Sequence, residues 1–233
     1  MSEAVCAIVG VGPGNGCSIA RKFSSEGYRV ALCSRNEQRL SEFAAQINHS
    51  AVFTYDVRDV NAPAVVFPRI RDQLGPVSVL VYNAGAGTFA DIDKATLEDF
   101  QAAWEVNARG LFLAAKAVLP DMRAAGGGNI VIIGATASVK ASAGFTPFAS
   151  AKAAQRSLAQ SMAKYLGPEK IHVSYVIIDG IINLEGTRRM IPDKPDAFFM
   201  EADQIAESVY FLTRQPAQAW TFELDLRPFG EKW

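Results

Sequence analysis

The chain has 233 residues, 49% of them hydrophobic and 20% charged, and its 23 Lys and Arg balance 24 Asp and Glu to a net charge of −1. Such a chain can bury a sizeable core, which excludes long disorder, and its even charge lacks the basic footprint of a nucleic-acid binder or a membrane-surface protein. One domain is expected, since parallel α/β sheets reach this length as a unit. No run of about 18 apolar residues occurs. Met1 to Cys6 lead into a strand-like segment without a basic n-region, so the protein is expected to be neither membrane-bound nor secreted. Cys6, Cys17 and Cys33 are odd in number, fit no metal-ligand spacing, and read as reduced thiols in the cytoplasm.

Apolar runs of strand length alternate with segments of helical periodicity. Strands are expected at residues 4–9, 29–33, 51–55, 77–82, 129–133, 172–177 and 222–225, and helical segments include 18–26, 37–47, 97–125 and 148–166. Asp59, Asn61 and Pro63 open a helix that ends near Leu74, and Pro68 inside it predicts a kink or two pieces. Gly126 to Gly128 end the long central helix and feed the next strand. The alternation predicts an α/β, doubly wound single domain with a seven-stranded, mostly parallel sheet and right-handed crossovers on both faces. No repeat of 20–50 residues is visible.

Directly after the first strand stands Gly10-Val-Gly-Pro-Gly14-Asn15-Gly16, followed by an amphipathic helix. Glycines let the backbone turn tightly and approach a pyrophosphate, which the N–H groups and dipole of a helix N-terminus attract. The plain alternative is a turn shaped by Gly12 and Pro13.

The spacing of Gly10, Gly14 and Gly16 resembles the short-chain dehydrogenase/reductase family, whose fold is Rossmann-type. Asn83-Ala84-Gly85 after the fourth strand is similar to its Asn-Ala-Gly signature, and Asn107 in Val106-Asn-Ala-Arg-Gly110 to its helix-embedded asparagine. Asp56, with Val57 beside it, closes the third strand where the family places an adenine contact. The resemblance implies a nicotinamide dinucleotide. At the end of the second strand, Ser34 and Arg35 suit the 2′-phosphate of NADP(H) over NAD(H). Arg35 as a solvated charge and Glu37 as a ribose ligand remain alternatives.

The resemblance further implies hydride transfer between nicotinamide and a carbonyl or alcohol carbon. In that chemistry a tyrosine handles the proton, a lysine four residues later assists it and holds ribose, and a serine thirteen residues before the tyrosine polarises the carbonyl. Here Phe148-Ala-Ser-Ala-Lys152 keeps the lysine but puts a phenyl ring in place of the phenol, and the serine position is Ala135. The expected catalytic residues are therefore Asn107, Lys152 and Ser138, with Thr136, Ser142 and Ser150 as other hydroxyls. A water held by Lys152 and Asn107 is expected to deliver the proton.

After the sixth strand, where the family carries Pro-Gly and then a threonine, this chain has Asp179-Gly180-Ile-Ile182-Asn183. Gly180 and the Ile182 backbone are expected to keep a cofactor contact. Residues 184–200 read as a lid, and with Phe145 and Phe148 they point to an apolar carbonyl or alcohol as substrate. The Ala- and Ser-rich helix, with Ala151, Ala153, Ser157, Ala159 and Ser161, permits close helix approach and resembles the family's pairing of this helix and the segment 97–125 across a two-fold axis, which implies a homodimer or homotetramer; Phe229 and Trp233 stand beyond the last strand. Two readings result: an NADP(H)-dependent oxidoreductase with an altered or weak site, or a dinucleotide-binding scaffold or sensor that catalyses nothing. His49 and His172 receive no role.

Overall fold

The computed structural model describes residues 4–230; Trp233 lies outside the described residues. Seven strands form one sheet in the order β3-β2-β1-β4-β5-β6-β9, and every pairing in it is parallel rather than mostly so. They are β1 (Val5–Val9), β2 (Arg29–Ser34), β3 (Ser50–Thr54), β4 (Val77–Tyr82), β5 (Gly128–Ile133), β6 (Ile171–Ile178) and β9 (Glu223–Leu226). The period of two sorts side chains cleanly. Val5, Ala7 and Val9 of β1 enter one core, and Cys6 and Ile8 enter the other.

The first core is covered by α3 (Ala62–Leu74), α5 (Gly110–Ala124) and α6 (Thr146–Leu166), the second by α1 (Asn15–Ser25), α2 (Glu37–Ala44) and α8 (Ala202–Thr213). Sequence reading named no helix at α8, although Ile205, Ala206, Val209 and Leu212 give it a buried stripe at helical spacing. All three cysteines are free and buried, and no helix among the described residues is long and apolar enough to cross a membrane.

One alternative is decided and one expectation corrected. Pro68 does not split α3 into two pieces, since Ala62–Leu74 is one helix. Pro68 faces solvent while Phe67 and Ile70 anchor the buried side, so the carbonyl that loses its partner can turn outward to water. The long segment 97–125 is not one α-helix: α4 (Leu97–Trp104) passes into a π-helical turn, Glu105–Arg109, before α5. The glycine stop is as expected. Gly126 has φ +76°, its N–H donates to Arg123 O and that of Gly127 to Met122 O, the pair of bonds that closes a helix through a left-handed residue.

The segment 181–200 folds as β7 (Ile181–Ile182), α7 (Glu185–Met190) and β8 (Phe199–Met200), with β7 and β8 paired in parallel. Arg188 holds its limbs together: Nε donates to Asn183 Oδ1 (2.7 Å), Nη1 pairs with Asp196 (2.8 Å), and the guanidinium lies 3.9 Å over the Phe199 ring.

Candidate active site

The strand order reverses between β1 and β4, and in open parallel sheets ligands bind outside the C-terminal strand ends at such a point. Gly10 leaves β1 with φ +95°, and a Cβ there would collide with the backbone of Ala84. Only glycine permits this approach of the two loops. Asn83 Nδ2 locks it by donating to Gly10 O (2.7 Å), and a Cβ on Gly16 would lie 2.7 Å from Val11 Cα. Gly14 is the N-cap of α1; next to it Asn15 is buried and its Oδ1 has no hydrogen-bond partner among the described residues. The loop thus has the close backbone, helix N-terminus and spare polar atom that a diphosphate requires.

A cavity of about 350 Å³ continues from this loop across the ends of β2, β3 and β4, lined by Ser34, Arg35, Asp56, Val57, Ala84 and Gly85 among others. Sequence reading did not assign Arg39 and Arg58, which also line it. Asn36 caps α2 by accepting from Arg39 N (2.9 Å), so Arg39 occupies the first helical turn, where the dipole disfavours a cation unless an anion joins it. Arg58 forks onto Asp56, with Nη2 to Oδ2 at 2.7 Å and Nε to Oδ1 at 3.1 Å, and holds that carboxyl below the usual carboxylate range. Glu37 is turned away, accepting from Thr54 Oγ1 (3.2 Å).

At the other end the loop 83–87 runs alongside α6. A Cβ on Gly85 would sit 3.6 Å from Asn107 Oδ1 and 3.7 Å from Lys152 Nζ. Asn107 is fully buried; its Nδ2 donates to Ala86 O (2.7 Å) and Ala103 O (2.8 Å), and its Oδ1 has no partner among the described residues. The π turn makes this orientation possible, because it frees helical carbonyls that side chains then take up: Tyr82 Oη donates to Val106 O and Gln155 Nε2 to Asn107 O. Gly110 follows that turn, where a Cβ would collide with the Tyr82 hydroxyl. Lys152 Nζ donates to Ile133 O (3.1 Å) and Gln155 Oε1 (3.0 Å), and burial brings its pKa down to about 7.

Phe148, one turn before Lys152 on the same face, lies against Gly87, where a Cβ would collide with its ring. It forms a trio with Phe145 and Phe89, with centroids 4.8–6.3 Å apart. The Ser138 hydroxyl donates to Ala135 O (2.7 Å) within the turn Thr136–Ser138. Thr136 is bonded to Asp179, and Ser150 donates back to Thr146 O (2.8 Å) on the exposed side of α6. Gly180 packs beneath Pro228 and Met200, and Ile182 pairs with Met200 between β7 and β8.

Residues 4–192 match the short chain dehydrogenase family. The chain belongs to this family. Its members are NAD(P)-dependent dehydrogenases and reductases. The chain is 33% identical to a short-chain dehydrogenase from Rhodopseudomonas palustris, with a TM-score of 0.83 over 97% of this chain and 99% of that one. An alcohol dehydrogenase from the archaeon Thermococcus sibiricus, complexed with 5-hydroxy-NADP, is 25% identical, with a TM-score of 0.88 and coverage of 99% and 98%. A 3-oxoacyl-[acyl-carrier-protein] reductase of Mus musculus is 29% identical over 221 residues, 92% of each chain.

Sequence reading passed over four residues of this short chain dehydrogenase's crevice. Gln155, three residues after Lys152 on α6, carries a spacing signal, and Arg39 carries none because Arg35 precedes the helix. Arg58 and Phe89 carry none, because loops bring them in.

Proposed function

We propose that this short-chain dehydrogenase reduces apolar carbonyls, or oxidises the matching alcohols, with NADP(H), and that it does so without a phenol. The observation that carries the reading is the convergence of the Lys152 amine and the unpartnered Asn107 Oδ1 on the space beside Gly85. The coenzyme, when bound, supplies or accepts the hydride. Gly10, Gly14, Asn15 and Gly16 would receive its diphosphate, Asp56, Val57, Asn83, Ala84 and Gly85 would border its adenosine half, and Gly180 and Ile182 would approach the nicotinamide end. Lys152 would hold ribose with the N–H that Ile133 and Gln155 leave free. Shared between ribose and a water, that N–H and Asn107 Oδ1 can hold a water that passes a proton to or from the substrate oxygen, work the Phe148 ring cannot do. The aromatic trio supports an apolar substrate, and the 3-oxoacyl and alcohol substrates implied by the relatives' names are carbonyl compounds and alcohols too.

The preference for NADP(H) rests on Ser34, Arg35, Arg39 and Arg58. Arg35 and Arg39 are exposed, form no salt bridge among the described residues, and suit a dianionic 2′-phosphate. Arg39→Ala is expected to weaken NADPH about tenfold or more while leaving NADH within about twofold, read by titration calorimetry. Equal losses for both coenzymes would remove the basis for the preference.

A scaffold or sensor role is the second reading, favoured by the phenyl ring at 148 and by the engaged Ser138 hydroxyl.

For a homo-oligomer the support is the outer face of α6, where Ser150, Ala153, Ser157 and Ser161 are exposed beside α4 with its exposed Phe100 and Trp104. Ala151 and Ala159, also counted toward that face from sequence, point into the core. Trp104→Glu is expected to sediment as a monomer where the parent chain sediments as a dimer or larger; identical sedimentation would exclude this face.

A further inference from the structure

We infer that Gln155 is a positioning residue for Lys152: it ties the amine to the π turn that carries Asn107 and leaves its remaining hydrogen-bonding direction aimed beside Gly85. This rests on the reading above, in which Lys152 and Asn107 work together.

Gln155 is fully buried. Oε1 accepts from Lys152 Nζ at 3.0 Å and from the Tyr175 hydroxyl at 3.3 Å, and Nε2 donates to Asn107 O at 2.9 Å. One carboxamide therefore joins α6, β6 and the π turn. A buried helix position next to a sheet is ordinarily filled by an apolar side chain, because a carboxamide must recover its lost hydration bond for bond. Here those bonds go to the backbone of one site residue and the amine of the other. The geometry at Nζ follows from donor counting. An ammonium has three N–H bonds, and two are directed to Ile133 O and Gln155 Oε1, so the third points elsewhere. In the amine form two N–H bonds keep those acceptors and the lone pair takes the third direction. A Cβ on Gly85 would lie 3.7 Å from Nζ and 3.6 Å from Asn107 Oδ1, so both atoms stand beside that space. Without Gln155 Oε1 the amine would keep only Ile133 O and could swing.

No other explanation of the amine's surroundings is needed. Burial alone displaces its titration, with no carboxylate or cation acting on it. The titratable groups in contact with Gln155 are Lys152 itself and Tyr175 on β6, whose pKa burial pushes up to about 12, so it stays neutral as a donor.

The test is a 15N NMR titration of the lysine Nζ resonances of the full chain without coenzyme, in the native protein, Gln155→Glu and Gln155→Leu. Glu keeps an acceptor 3.0 Å from the amine and adds charge, so the Lys152 midpoint is expected to rise by about one pH unit or more. Leu removes the acceptor and is expected to lower it. If the Gln155→Leu chain does not fold, Gln155→Asn, which is too short to reach both partners, takes its place with the same expected direction. Midpoints within about 0.2 of the native one in folded Glu and Leu or Asn variants would overturn the assignment and leave Gln155 a packing residue. The companion measurement is kcat and KM across pH with NADPH. If the NMR midpoint moves and the kinetic midpoint moves with it, both readings stand. If only the NMR midpoint moves, the positioning role stands and the proton path through Lys152 fails.

Discussion

Ala135→Ser/Phe148→Tyr is expected to raise carbonyl-dependent NADPH oxidation by about 10²–10⁴-fold over the native chain, the range a positioned general acid contributes. The geometry favours this result. Residue 148 stands one helical turn before Lys152 on the same face and lies against Gly87 of the loop 83–87, the side on which a phenol would approach the amine. Ala135 immediately precedes the turn Thr136–Ser138 and is half-buried, so a hydroxyl at that Cβ would supply what Ser138, bonded to Ala135 O, cannot. The measurement is initial rates on a panel of aromatic and aliphatic ketones, with coenzyme affinity determined alongside. Native turnover equal to that of the double variant would show that water, Lys152 and Asn107 already do the full work. A variant that binds NADPH as the parent does and still turns nothing over would favour the scaffold reading.

Lys152→Met is expected to act in opposite directions on stability and function. The folded lysine titrates at about 7, against an ordinary value of 10.5 in the unfolded chain. Between those values the unfolded chain binds a proton that the folded chain lacks. Stability is therefore fullest above pH 10.5, declines as pH falls toward 7, and levels off below it. The whole displacement corresponds to about 4–5 kcal/mol at neutral pH. Methionine removes that loss but takes the amine from Ile133 O, worth about 1–3 kcal/mol, while Gln155 Oε1 keeps the Tyr175 hydroxyl. The variant should gain roughly 1–4 kcal/mol at pH 7, and the native rise in stability between pH 7 and 10 should flatten. Urea unfolding at several pH values measures both, and parallel pH profiles would show that Lys152 is not depressed. Coenzyme binding should weaken about tenfold or more through the lost ribose contact, with turnover falling further. Stability gained at a position where function is lost is a usual mark of a working site.

Much of this molecule was legible in its residues. The strands lie within a residue or two of their expected bounds because burial on both faces leaves near-continuous apolar runs, and that pattern is a local property. The glycine loop was equally legible, since Gly10 and Gly16 have to be glycine for their backbones to fit. Asn107 and Lys152 were found by motif, and the structure brings them together at Gly85. Asn83 was read as a cofactor residue, and its amide is spent on joining two loops.

What period and spacing determined was the architecture and the place of the crevice. The tertiary structure alone decided the rest. The π turn arises because Tyr82 and Gln155 offer donors to carbonyls that an α-helix would have kept, and Gln155 is 48 residues from the one it meets. The Ser138 hydroxyl is engaged by Ala135 O within its own turn. Arg39 and Arg58 join Arg35 because the ends of β2 and β3 are neighbours in the sheet. Such pairings depend on register between distant segments, which no local periodicity records.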